Sequence, residues 1–243
     1  MKNIKLLVIV LALFCSAHQL NAQFENNCDS ECENPIITSD TVHFKHPLFP
    51  NCTIIASYSV RTCPNGKVEI ITRAVGYGTG PDCNALSAWL QTPGFEFTNH
   101  DELWIMAYRA ASEKDFKQRY NVLLSVNQGF LLECPNGYET YEMHRAQCVK
   151  FCTYNDAIGQ MMWYQQITCN SNACCILKRK ICFNTTTQQM EITETRTHSN
   201  QGANCTTSTT LCPPTMLLSG PGIVAPREIP FDGVETDCSV PCD

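Results

Sequence analysis

Beyond residue 22 the chain has no run of about 18 apolar residues, the length a membrane-spanning helix needs. Its polar end, Asp237-Cys238-Ser239-Val240-Pro241-Cys242-Asp243, lacks the hydrophobic tail of a lipid-anchor signal. Positive charge is scarce: 17 Lys and Arg stand against 23 Asp and Glu, a formal charge of −6. No Lys/Arg cluster is interleaved with aromatics, and an acidic chain repels phosphate backbones, so nucleic acid is excluded as a partner. No C-x-x-C occurs, the spacing that brings two sulfurs onto one zinc ion or one thiol-exchange centre. There is no G-x-S-x-G, no H-E-x-x-H and no glycine-rich phosphate loop. The sequence therefore calls for no cofactor and no metal, and names no catalytic residue.

Residues 1–22 read as a secretory signal. Lys2 and Lys5 are followed by an apolar run over residues 6–14, and Ala22 supplies the small residue at the cut. Nine apolar residues are too few to span a bilayer. Cleavage removes two lysines and no acid, taking the charge from −6 to −8. It also removes Cys15, so 16 of the 17 cysteines remain. An even count in an exported chain is what a fully paired framework requires. The product is expected outside the cytoplasm: periplasmic, at the cell surface or secreted.

The cysteines recur. Cys28 and Cys32 reappear as Cys148 and Cys152 at an offset of 120, and Cys238 and Cys242 repeat the C-x-x-x-C once more. At an offset of 122, Cys52, Ile54, Glu69, Ile70, Gly80 and Cys83 meet Cys174, Ile176, Glu191, Ile192, Gly202 and Cys205. Cys63 and Cys182 deviate, at 119. A fixed offset is the mark of a repeated unit. We read a mainly β fold with a small helical insertion, disulfide-rich, in two similar β-meander units. Residues 23–83 form the first stapled unit, 84–133 a cysteine-free and partly helical insertion, 134–205 the second stapled unit, and 206–243 a Pro/Gly/Thr-rich C-terminal segment.

In the first unit residues 53–62 and 67–75 are rich in β-branched and aromatic residues and flank Pro64-Asn65-Gly66, a strong hairpin turn. In the second, residues 174–181 and 189–198 take these roles, and 161–167 form a preceding strand that completes a meander. With the turn at Asn65-Gly66, Cys52 sits at the open end of the hairpin near Thr79, and Cys63 lies about 36 Å away along the strand. A disulfide needs Cα atoms within about 7 Å. Cys52–Cys83 is favoured, and Cys174–Cys205 follows if the duplication holds. Cys174 and Cys175 project to opposite strand faces and should take different partners.

In the insertion, residues 84–90 suggest a short helix and Asn99 a cap for a second, running through residue 111. Ser112-Glu113-Lys114-Asp115 resembles a capping box opening a third helix over 116–120, and residues 120–132 return to strand character. Residues 206–236 read as an extended surface connector. Trp89, Trp104 and Tyr108 are candidates for a binding face, with core packing the preferred role for apolar residues at helical spacing. His43 and His46, three apart on a strand, face opposite sides and read as surface imidazoles. His100, His144 and His198 have no motif around them. Glu69 and Glu191 could pair for glycoside chemistry, but solvent-facing strand positions explain them better. Asn51, Asn184 and Asn204 head glycosylation acceptor triplets.

The reading favoured by these features is an exported, non-enzymatic, disulfide-rich scaffold that binds another protein or an envelope assembly, as an accessory of a cell-surface complex. The alternatives are a secreted hydrolase with its site in residues 84–133, and a disulfide-rich inhibitor or toxin acting through a loop such as 206–236.

Overall fold

The structure is a computed structural model that describes residues 32, 34–125, 132–169, 174–198, 205, 210–218 and 226–239. Residues 1–22, read as a secretory signal, together with Cys28, Cys242, the acceptor triplet at Asn204 and Gly202 lie outside these residues. The described residues are mainly β, with two helices.

Runs of β-branched and aromatic residues form β1 (Ile36–His46), β2 (Phe49–Thr62) and β3 (Val68–Tyr77), an antiparallel meander. The β2–β3 turn closes with the Gly66 amide donating to the Cys63 carbonyl at 2.9 Å. Gly66 adopts φ +83°, a conformation that suits a residue without Cβ. Gly80, at φ +134°, then turns the chain into α1 (Pro81–Leu90), with proline in the first turn, where no helical partner for its amide is needed. Helix α2 (Glu96–Ser125) follows. The second half contains β4 (Glu139–Ala146), β5 (Val149–Asp156), β6 (Met161–Thr168), β7 (Cys174–Asn184) and β8 (Gln189–His198), then β9 (Thr215–Leu218) and β10 (Arg227–Glu235).

All ten strands join one branched sheet, and β3 is its fork. One edge of β3 pairs with β2 throughout. The other is shared: Val68 and Glu69 pair with β4 in parallel, and Val75 to Tyr77 pair with β6 antiparallel. One arm continues β4-β7-β8 and the other β6-β5-β10-β9. A bulge makes the fork possible. Tyr58 opposes Thr72 while Ser57 opposes Ala74, leaving Arg73 as an extra residue. An extra residue shifts strand parity by one and increases the local twist. Val68 and Ile70 face the helices before the bulge, and Val75 and Tyr77 face them after it. Ala74 is thereby turned into a second core on the opposite face, with Trp163, Tyr154, Met216, Leu218 and Ile229.

The fold corrects several expectations. In the second half the antiparallel set is β4-β7-β8, with the β5–β6 hairpin inserted, so β6 does not precede β7 in a meander. Helix α2 is continuous through Asn99 and Ser112, and residues 120–125 belong to it rather than to a strand. The described part of residues 206–236 is no free connector. It includes β9 and β10, with Met216, Leu218 and Ile229 buried, and the chain from Thr236 to Ser239 hydrogen-bonds along β5.

Six bridges are described. Cys32–Cys63 joins the chain ahead of β1 to the turn end of β2, and Cys134–Cys182 makes the equivalent link from ahead of β4 to the end of β7. Cys52–Cys83, with Cα atoms 4.8 Å apart, ties the open end of the hairpin to α1. Cys152–Cys212 and Cys169–Cys238 fasten the C-terminal segment at two points, and Cys148–Cys205 fastens the residue just ahead of it. The Cys174–Cys205 bridge expected from the repeat is therefore not formed. The recurring cysteine spacing does not carry over to the pairing, because Cys205 closes on the β4–β5 turn instead. Cys174 and Cys175 are also in disulfide form. Peptide mapping of the unreduced protein should recover these six linkages, and a fragment joining Cys174 to Cys205 would contradict them.

Close approach across the fork generates a second prediction. A Cβ on Gly76 would fall 2.6 Å from the indole of Trp163, which is 2 % exposed and has no room to retreat. Gly76→Ala should destabilise the fold by about 1–3 kcal/mol in urea unfolding.

Candidate functional site

Trp104 and Tyr108 form no binding face. They lie on the buried face of α2, packed against the sheet, and the Tyr108 hydroxyl donates to the main-chain carbonyls of Tyr141, at 2.9 Å, and Leu177, at 3.3 Å. Burial pushes the Tyr108 phenol far above its ordinary range. Trp89 is half-buried against His46 and Phe49, with ring centroids 4.8 and 5.9 Å away. His43 is exposed, but His46 is no surface imidazole. It is 2 % exposed, its Nδ1 accepts the Leu48 amide at 3.2 Å, and its Nε2 lies 3.5 Å from Glu102. His100 is buried with Nδ1 2.7 Å from the Glu96 carbonyl, stacked on Phe151. Burial lowers its pKa, offset in part by that carbonyl. Glu69 and Glu191 are not brought together as a pair. Glu69 is bound by Arg61, whereas the exposed Glu191 accepts from Asn184.

Charge converges instead on the face of the sheet away from the helices, where β3 and β4 meet. Strand alternation puts Val68, Ile70, Tyr141, Met143 and Leu177 toward the helices, and so turns Glu69, Glu142, His144 and Lys178 the other way. Glu142 takes Lys67 at 2.6 Å, Lys178 at 2.8 Å and His144 Nε2 at 2.8 Å. Glu69 takes Arg61 at 2.8 Å and Lys67 at 3.6 Å. Glu69, Glu142 and His144 stand close enough to ligate one cation. Each carboxylate, however, already holds guanidinium or ammonium groups, and a divalent ion would be placed among three cations. The donor set fits a compensated ion-pair network. The cysteines grouped near Glu191 and Glu235 offer no thiolate, since Cys134–Cys182 and Cys152–Cys212 are bridged.

A second feature lies on the opposite edge of the sheet. Among the described residues β1 pairs with β2 alone, and α2 runs beside its other edge. The two enclose a groove of about 650 Å³ lined by Thr41, Val42, Phe44, Ala110, Lys114 and Lys117, among others. At its centre the Thr41 amide donates to the Asp40 carboxylate at 2.7 Å and the Thr41 carbonyl accepts from Lys114 at 2.6 Å. Lys114 also pairs with Asp40 at 2.6 Å. Burial would raise the Asp40 carboxyl, but Lys114, the Thr41 amide and Gln118 outweigh it and hold it below the usual range.

No family model matches the chain, and no curated protein or solved structure matches it. Arg61, Lys67, Glu142, Lys178 and Lys114 carry no local motif, and sequence reasoning passed over them. A signal for the network was present in the single charges that alternate with apolar residues along the strands, as at Glu69 between Val68 and Ile70.

The network predicts a pH dependence. Burial alone would raise Glu142, but hydrogen bonds from Lys178, Lys67 and His144 bring it down from 4.5 to about 2. A carboxyl depressed in the folded state stabilises fully above its unfolded value and progressively less as pH falls toward the folded one. Glu142→Gln should destabilise by about 1–3 kcal/mol at neutral pH, since Lys67 and Lys178 stay part-exposed and partly solvated. That difference should shrink between pH 4.5 and 2 in urea unfolding. A gap that stays constant across this window would refute the assignment.

Proposed function

We propose that the protein is an exported, non-enzymatic binding scaffold, an accessory of a cell-surface or envelope protein assembly. The observation that carries this reading is the placement of its bridges. Each half of the sheet is stapled from ahead of one strand to the end of its antiparallel neighbour, β1 to β2 and β4 to β7, and Cys205, Cys212 and Cys238 fasten the last part of the chain at three points. Cross-links of this kind constrain the unfolded chain and persist in an oxidising compartment outside the cytoplasm. Among the described residues no helix is long and apolar enough to cross a membrane. The carboxylates that converge are spent on Arg61, Lys67 and Lys178, which suits a rigid framework better than acid–base work. A strand edge kept open beside a helix supplies a surface for a partner.

The test is isolation from the native envelope after mild cross-linking, followed by recombination of the purified chain with any captured protein. A stoichiometric complex that dissociates when the disulfides are reduced is the expected result. A chain that purifies alone and turns over a substrate would overturn the scaffold reading in favour of a hydrolase.

A further inference from the structure

We propose that the open edge of β1 is a docking site for an extended acidic segment of a partner protein, which adds to the sheet as an extra strand in the groove beside α2. This rests on the binding-scaffold reading and names the class of partner.

Backbone geometry carries the first part. In an extended strand the amide and carbonyl of one residue point to the same side, and successive residues alternate. Both groups of Thr41 point away from β2, because they are taken by Asp40 and Lys114. The register agrees, since Ser39 and Ser59 are opposed with their hydroxyls 2.9 Å apart, as expected of a non-hydrogen-bonded pair. The main-chain groups of Ile37, Ser39, His43 and Lys45 therefore also face the open edge, and none is hydrogen-bonded to another main-chain group of the described residues. An added strand would satisfy them, as peptide recognition by strand addition does.

Charge carries the second part. The chain is acidic as a whole, at −6, yet the groove is locally cationic. Its two acids are committed, Asp40 to Lys114 and Glu113 to Arg179 at 3.0 Å. Lys117 on the helix wall and Lys45 on the strand are exposed and have no acidic partner among the described residues. Side chains of an added strand would alternate between the two faces. Those under α2 would meet Val42, Phe44, Lys114 and Lys117, and those on the other face would meet His43 and Lys45. Acidic residues at alternate positions find cations on either face. The Asp40–Lys114 pair closes one amide pair in the middle of the edge. An incoming carboxylate can replace Asp40 on Lys114, so the same pair shields the edge when it is vacant.

The probe is a capped peptide alternating valine and glutamate, titrated into the isotope-labelled full chain with its disulfides intact, and followed by amide chemical shifts. Saturable shifts confined to residues 39–45 and 110–118 are expected. Affinity should fall by about tenfold or more with Lys117→Glu together with Lys45→Glu, and fall comparably as salt is raised. Lys180→Glu on β7 should leave it unchanged. The counterpart peptide alternating valine and lysine should bind far more weakly. His43→Pro removes an edge-facing amide and should weaken binding. Because proline can also disturb β1, the same point is tested from the peptide, N-methylated on alternate residues in each of the two frames. One frame should lose binding and the other keep it. Shifts elsewhere, equal binding of the lysine peptide, or binding in both methylated frames would overturn the proposal and leave Asp40–Lys114 as edge protection alone. A native partner that still forms a complex while the glutamate peptide fails would sink this inference and spare the scaffold reading. Loss of both would sink that reading as well.

Discussion

Strand β3 has to satisfy three neighbours with two edges. A buried backbone amide left without a partner costs as much as a lost hydrogen bond, so a sheet cannot fork without a device that turns the strand. The extra residue at Arg73 is that device. It re-aims the second half of β3 from β4 to β6 and exchanges the faces of the residues that follow. The helix-covered core and the second core with Trp163 both depend on this shift of one position. So does the tight contact of Gly76 with the indole, which only a residue lacking Cβ permits.

The fork also gathers charge. Where β3 and β4 run parallel for two residue pairs, Glu69 and Glu142 sit opposite one another, and like charges so placed repel. Arg61 and Lys178 on the flanking strands β2 and β7, with Lys67 at the β2–β3 turn, offset that repulsion. Buried charge is tolerated when its partners are in place, and removal of one partner leaves the others uncompensated. The same logic holds along α2. Asn99, Asp101, Ser112 and Asp115 are buried polar residues in a helix, and each has a tertiary partner: the Trp89 carbonyl, Arg145, Arg179 and the Tyr141 hydroxyl.

Those partners explain why helical boundaries were misjudged from the chain alone. Asn99 and the Ser112-Glu113-Lys114-Asp115 run carry the chemistry of helix starts, because such side chains compete for local backbone groups. In the fold they bond to α1 and the sheet, so the helix passes through them. The first hairpin was legible because Asn65-Gly66 is a local signal, and Cys52–Cys83 was within reach of reasoning because register and turn place both ends of that bridge. The linkages from the β4–β5 turn, from β5 and from the end of β6 to Cys205, Cys212 and Cys238 join residues 57 to 69 apart in sequence, and no local rule specifies them. Strands β9 and β10 were missed for a related reason. Their alternation is short, and the second core that buries Met216, Leu218 and Ile229 exists only once the bulge in β3 has formed.

The amino-acid sequence by itself determined the mainly β character, the cysteine-rich framework and the acidic charge, since propensity, sulfur content and charge are properties of residues and their near neighbours. Which cysteines pair, which charges neutralise one another at the β3–β4 junction, and which strand edge stays open beside a helix were decided by tertiary structure alone. Each of these is a contact between segments far apart in the chain, and the bulge, the fork and the packing of α2 bring those segments within reach.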